Sequence, residues 1–287
     1  MKRFLLLLLL VLTCFSAAYA DSLPAGGAAP YAPVLSALSE DGLSYDDSSL
    51  SIRIEKDRAF DTNVYYTYVK LTDVSQLRTA LSAAYPSKTR RPVNVMAEEN
   101  NAVLAINGDF FSYHSKGVVV RGGEILRQQP ERARDTLIIN EQGDFVFLTR
   151  NTRPEWESYR DSGAGLREAF CFGPALIIDG VTQKFDYRKK VSCGAPTPAQ
   201  RTAICQMGPL EYMIFMCEGP EQEGQKGLSL AQVVELLEQK GVQQAYNLDG
   251  GSSSTLWLCG NRINSPETKY RPVGDIIYFA TTVNSAE

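Results

Sequence analysis

Three short apolar runs in this chain each stop at a turn headed by Asn or Asp and containing glycine. Residues 102–106 run into Asn107-Gly108-Asp109-Phe110-Phe111, residues 174–178 into Asp179-Gly180, and residues 244–248 into Asp249-Gly250-Gly251-Ser252-Ser253-Ser254-Thr255. An apolar run of four or five residues bounded by such turns reads as a buried strand rather than a helix, and glycine supplies the positive φ that a tight reversal demands. Three hairpin signals join them: Gly122-Gly123 between residues 118–120 and 125–126, residues 141–144 between 137–139 and 145–148, and Gly208-Pro209 between 202–207 and 212–217. Residues 64–71, rich in Tyr and Val, add a strand, and residues 256–258 and 276–280 close the sheet system. Helices are few. Asp73 with Gln76 predicts a capping-box helix to about Tyr85, Pro92 opens a short helix ending near Asn100, and Ser229, Gln232 and Gly241 bracket an amphipathic helix to Lys240. Residues 151–165 read as a polar surface excursion and residues 183–198 as a loop or flap. The pattern predicts an α+β fold: a single domain with mixed or antiparallel β-sheets and a few flanking helices.

The first residues carry a different signal. Met1-Lys2-Arg3 is a basic start, residues 4–12 are apolar and mostly leucine, and Ala18-Tyr19-Ala20 fits a small-x-small cleavage site before Asp21. A membrane span needs about 20 apolar residues, so the run predicts a cleaved leader rather than an anchor. The expected organisation is a signal peptide at 1–20, a linker or N-terminal arm at 21–49 and one domain at 50–287, in a protein that is secreted or held in the cell envelope. The mature chain keeps Cys171, Cys193, Cys205, Cys217 and Cys259. These could form disulfides in an oxidising compartment or serve as small buried hydrophobes. Losing Lys2 and Arg3 takes the formal charge from −4 to −6, which argues against a nucleic-acid partner. One histidine, His114, excludes zinc sites that need two or three.

Chemistry concentrates at two of the turns. At Asn247-Leu248-Asp249-Gly250-Gly251, a strand delivers a carboxylate, two glycines allow close ligand approach, and the hydroxyls of Ser252, Ser253, Ser254 and Thr255 suit sugar or phosphate oxygens. The plain alternative is an Asp-Gly hairpin with a serine-rich loop. Asn107-Gly108-Asp109 has the same form, with Phe110 and Phe111 placed either to floor a sugar pocket or to fill the core. Arg201, after a Pro-rich loop, can clamp a phosphate or pair at the surface. His114, just after the Asp109 turn, reads either as a site residue or as a surface or satisfied polar residue. GxSxG, Walker A and a complete dinucleotide fingerprint are all missing.

Several ordered blocks together resemble the phosphodiester glycosidase family. They are residues 105–111, Phe172-Gly173-Pro174-Ala175-Leu176, Arg201-Thr202-Ala203-Ile204, residues 247–255 and Arg271-Pro272-Val273, spread over roughly residues 50 to 282. Cys205 and Asp109 stand where many members have glycine. The resemblance implies an exported, bacterial-type hydrolase that cleaves the anomeric bond of a sugar-1-phosphodiester, releasing free sugar and a phosphomonoester. On that reading Asp249, Arg201 and Asp109 are catalytic. Asp249 serves as base, nucleophile or oxocarbenium stabiliser, and Arg201 meets the phosphate. Asn107, Gly108, Thr202, Gly250, Gly251, Ser252, Ser253, Ser254 and Thr255 bind substrate. The expected partner is a carbohydrate or glycosyl phosphate, and no cofactor is implied. A divalent cation between Asp249 and Asp109 is the one metal site the residues suggest. The competing readings are a glycosidase acting on ordinary exopolysaccharide or cell-wall bonds, with Asp109 and Asp249 as its carboxylate pair, and a non-enzymatic carbohydrate- or envelope-binding module.

Overall fold

The structure, a computed structural model, describes residues 27–184, 195–265 and 271–284. The expected leader, most of the 183–198 loop and Cys193 lie outside these residues.

Three antiparallel sheets make the fold. The largest has eight strands in the order Ser44–Asp46, Leu50–Ala59, Thr62–Leu71, Glu211–Cys217, Arg201–Gly208, Gln244–Asn247, Ala175–Ile178 and Val181–Thr182. A five-stranded sheet runs Glu124–Gln129, Gly117–Arg121, Glu168–Phe170, Thr136–Ile139, Phe145–Leu148. The other five-stranded sheet runs Asn261–Arg262, Leu256–Leu258, Leu104–Asn107, Asp275–Phe279, Leu77–Leu81. Mixed pairing, one of the two expectations, does not occur among the described strands. Hairpins joined by short turns, such as Arg201–Gly208 with Glu211–Cys217, build much of these sheets, and parallel neighbours would need crossovers of a dozen residues or more.

One apolar core joins the three sheets, drawing Ile52, Ile204 and Tyr246 from the first, Leu137 and Phe170 from the second, and Leu104, Leu256 and Phe279 from the third. The outer faces are covered by helices. Leu230–Gln239, capped by the Ser229–Gln232 box, buries Val233 and Leu237 with Phe215 and Ala245 of the large sheet. Val93–Glu99 buries Met96 with Tyr278 and Trp257. Arg153–Arg160 buries Trp156 with Val118 and Val120. Each large apolar side chain removed from water in this way contributes roughly 1.5–3 kcal/mol.

Three local expectations are corrected. The Asp73–Gln76 capping box is present, but it caps only the 3-10 turn Val74–Gln76, and the chain continues as the strand Leu77–Leu81. Tertiary pairing decides this: residues 77–81 are laddered to Asp275–Phe279, while the Gln76 amide donates to the carbonyls of Ser49 and Ala280. The polar stretch 151–165 holds the helix Arg153–Arg160, because Thr152 and Glu155 form a second capping box and Trp156 is buried. The expected loose arm is tied down from Ala29 onward: Ala29 is buried and its N–H donates to the Asn100 carbonyl, Ser44–Asp46 pairs with Leu50–Ala59, and Tyr45 is buried with its hydroxyl donating to Asp47. Cys171, Cys205, Cys217 and Cys259 are free thiols; Cys205 and Cys217 lie buried in the apolar cluster under the helix Leu230–Gln239, and buried Cys171 takes a hydrogen bond from the Asn151 side chain.

Candidate active site

The two turns converge because their strands end side by side. In the large sheet Asn247 lies opposite Ala203, which aligns the start of Arg201–Gly208 with the end of Gln244–Asn247. Asn107 ends a strand of another sheet, and its side chain crosses to the first: Nδ2 donates to the Asp249 carbonyl at 2.7 Å. Its Oδ1 accepts from the Thr255 amide at 3.2 Å and the Thr202 hydroxyl at 3.3 Å. Thr202 Oγ1 also lies 3.0 Å from the Ser254 hydroxyl. Asn107, Thr202, Ser254 and Thr255 are fully buried, so they brace the turn from behind instead of facing a ligand. Gly250 is required at its position, since a Cβ there would stand 2.6 Å from the Gln200 carbonyl. Gly251, at φ +59°, donates to that same carbonyl at 2.9 Å. Gly108 likewise leaves room for the Asp275 carboxylate.

In front of this brace lies a cleft of about 290 Å³ lined by Phe110, His114, Arg134, Phe172, Ala199, Arg201, Asp249, Gly250 and Gly251. Asp249 and Arg201 therefore share one cavity. Burial pushes the Asp249 carboxyl up to about 6, against the pull of the Ser253 hydroxyl and the Arg271 charge. Arg201 is buried, with Nε on the Leu228 carbonyl at 2.9 Å and Nη2 on that of Thr197. Ser252 is exposed and takes a hydrogen bond from Arg271 at 3.3 Å, so it stands at the rim.

Asp109 does not enter the cleft. Its side chain is 0% exposed, and its oxygens accept from the amides of Phe111 and Cys171, each at 2.9 Å, beside the Arg121 guanidinium at 3.3 Å. Arg121 also holds Asp275, its Nε donating at 2.9 Å. This buried cluster fixes the turn that presents Phe110 and His114 to the cleft. No group of three or more His, Cys, Asp or Glu among the described residues is arranged to hold a metal ion.

Local sequence patterns do not point to Arg134, and of the two readings of His114 the structure places it at the cleft. Arg134 precedes the strand Thr136–Ile139 and has no motif around it. It is 8% exposed, its Nη2 lies 3.0 Å from His114 Nε2, and its Nε is 3.3 Å from Glu131. A guanidinium only donates, so His114 Nε2 must accept and the imidazole carries its proton on Nδ1. Burial, then the Arg134 charge, holds the His114 pKa below its usual value, consistent with that neutral form. Arg134 Nη1 is buried with no hydrogen-bond partner among the described residues. An orphaned buried donor costs about 1–3 kcal/mol. The apolar side of the cleft is aromatic: Phe110 stacks on Tyr113 at 4.0 Å between ring centroids and meets Phe172 edge-on at 6.2 Å.

The cleft thus gathers one half-buried carboxylate, two arginines and an aromatic wall at the ends of strands. The chain belongs to the phosphodiester glycosidase family, whose sequence profile matches residues 100–280. The comparison with curated proteins gives no match. Among solved structures it is similar to the catalytic domain of zebrafish N-acetylglucosamine-1-phosphodiester alpha-N-acetylglucosaminidase, auto-inhibited by its pro-peptide, with TM-score 0.66 and 18% identity over 82% of this chain and 85% of that one. A hypothetical protein from Synechocystis gives TM-score 0.62 and 17% identity, covering 81% of this chain and 62% of the other. A protein from Burkholderia pseudomallei, described as a candidate exported protein, gives 0.50 and 13%, covering 77% and 74%. At these identities the likeness to solved structures is one of fold. No helix among the described residues is long and apolar enough to cross a membrane.

Proposed function

We propose that the protein is an exported hydrolase that cleaves the anomeric carbon–oxygen bond of a sugar-1-phosphodiester, releasing free sugar and a phosphomonoester. The observation that carries this reading is the count of carboxylates: among the described residues lining the cleft, Asp249 is the only acid. Hydrolysis of an ordinary glycosidic bond uses two carboxyl groups flanking the scissile bond, one of which protonates the leaving oxygen. Asp109, the partner such a mechanism would need, is buried outside the cleft lining, held by the amides of Phe111 and Cys171 and by Arg121. A phosphomonoester departs as a stable anion, with a second pKa of about 6, and needs no such acid. It needs cations, and Arg201 and Arg134 line the cleft.

In this mechanism the sugar lies against Phe110 and Phe172 with its anomeric carbon beside Asp249. The ionised Asp249 carboxylate stabilises positive charge developing on the sugar and accepts the proton of the attacking water. The water oxygen bonds to the anomeric carbon as the bond to the phosphate oxygen breaks, and the electron pair leaves with the phosphate towards the arginines. No metal is assigned a step, so dialysis against a chelator is expected to leave turnover unchanged.

The test is kinetic. Mature protein is given a panel of sugar-1-phosphodiesters and aryl glycosides, and released sugar and phosphomonoester are measured. Asp249→Asn and Arg201→Ala are each expected to lower turnover of the phosphodiester by roughly 10²–10⁴-fold with the fold intact by circular dichroism. Near-normal turnover in folded Asp249→Asn would remove Asp249 from the chemistry. Sugar binding without any turnover in the wild type would favour a binding module.

A further inference from the structure

We infer that Arg134, steadied by His114, grips a phosphate oxygen of the substrate and makes the cleft selective for an anionic leaving group, an inference that rests on the proposed phosphodiester reaction. Three observations carry it. First, Arg134 lines the cleft while being 8% exposed, so its charge acts in a water-poor setting where an oxyanion is strongly attracted. Second, the side chain is preorganised. Nη2 is fixed on His114 Nε2 at 3.0 Å and Nε faces Glu131 at 3.3 Å. The Arg134 carbonyl accepts from Asn151 Nδ2 at 2.7 Å, and that amide also reaches the Glu131 carbonyl at 3.0 Å. Third, Nη1 is buried and unpartnered among the described residues. A guanidinium N–H without a protein acceptor, on a residue that lines a cavity, suits an anionic oxygen from a ligand, with which it forms a charge-assisted hydrogen bond. Arg201 is different in kind, because Nε and Nη2 are committed to the Leu228 and Thr197 carbonyls. The division of labour is that Arg134 donates directly to phosphate while Arg201, lining the same cleft, adds charge. His114 is the positioning residue, since it accepts from Nη2 and leaves Nη1 without a protein acceptor.

Inorganic phosphate is the probe. Its binding to mature wild type, Arg134→Gln and Arg134→Lys is measured by isothermal titration calorimetry, beside thermal unfolding of each protein. Arg134→Gln is expected to weaken phosphate at least about tenfold, and Arg134→Lys, which keeps the charge but loses the planar fork, to fall between it and wild type. Equal phosphate affinity in wild type and a folded Arg134→Gln, or no phosphate binding by wild type, would overturn the inference. Should Arg134→Gln fail to fold, Arg134→Lys with wild-type affinity would overturn it equally. The two ideas fail separately. Arg134-dependent phosphate binding in a protein that hydrolyses no phosphodiester upholds the anion site and retires the reaction. Phosphodiester turnover with phosphate binding indifferent to Arg134 does the reverse.

Discussion

Asp249 has an ionisation that burial has moved into a measurable window. Its carboxyl rises from an ordinary 3.8 to about 6, because desolvation outweighs the Ser253 hydroxyl and the Arg271 charge. The working form is the carboxylate. In the free enzyme kcat/KM for a phosphodiester should therefore climb about tenfold per pH unit below 6 and level off above it. A pH–rate profile checks this, and a flat profile from pH 4.5 to 7.5 would contradict the assignment. Arg271 supplies part of the opposing pull from the rim, where its Nη2 also meets the Tyr113 hydroxyl at 3.4 Å. Replacing it with Gln should move the inflection upward, since a cation that favours the ionised form is lost.

At the scale of elements, the site is a junction between strand ends of two sheets. Asn107 is the latch, with one amide reaching the Asp249 carbonyl, the Thr255 N–H and the Thr202 hydroxyl. Removing it strands a buried N–H and a buried carbonyl. Asn107→Ala should cost roughly 2–4 kcal/mol in chemical denaturation and lower kcat more than it raises KM, because the Asp249 turn loses its support. Retained stability and turnover would show that the junction is held by packing alone. The helices of this fold were well marked where caps are local: Ser229 with Gln232 and Gly241 bracket Leu230–Gln239 as the spacing predicts. The same signal at Asp73 and Gln76 misled, because a capping box specifies only its first turn, and the ladder to Asp275–Phe279 makes residues 77–81 a strand. Thr152 with Glu155 was the reverse case, a capping box hidden by the polarity of its helix.

Across the whole molecule, buried acids shape stability. Burial raises Glu168 to about 7 against the Arg121 charge, and raises Asp275 and Asp249 as well. Each holds a proton in the folded state that it has released in the unfolded chain, whose carboxyls titrate near 4. Stability from these groups is full below about pH 4 and is lost as pH rises to 7. Glu55, held near 2 by Arg53 and Lys240, and Asp47, lowered by hydrogen bonds from Thr281, Tyr45 and Ser49 that outweigh its burial, act in the opposite sense, and their contribution is lost only as pH falls below about 4. The unfolding temperature should therefore be several degrees higher at pH 5 than at pH 8. Glu168→Gln, which keeps the shape and removes the titration, should flatten that slope. A higher unfolding temperature at pH 8 than at pH 5 would contradict it.

What the sequence determined by itself is what neighbours along the chain can decide. The apolar runs closed by Asx-Gly, the hairpins at 122–123, 141–144 and 208–209, and the helix between Ser229 and Gly241 are all written within a few residues, because turn dihedrals and capping bonds are local. The aspartate at 249 and its glycines stood out for the same reason. Tertiary structure alone decided which side of each turn faces the cleft. Asp109 and Asn107 belong to the same kind of turn as Asp249, yet they point inward, because Arg121 and the amides of Phe111 and Cys171 claim one and the Asp249 turn claims the other. Arg134 could be found only in three dimensions: nothing beside it in the chain marks it, and its meaning lies in an unpartnered buried N–H on a side chain that lines a cavity residues up to 251 help to enclose.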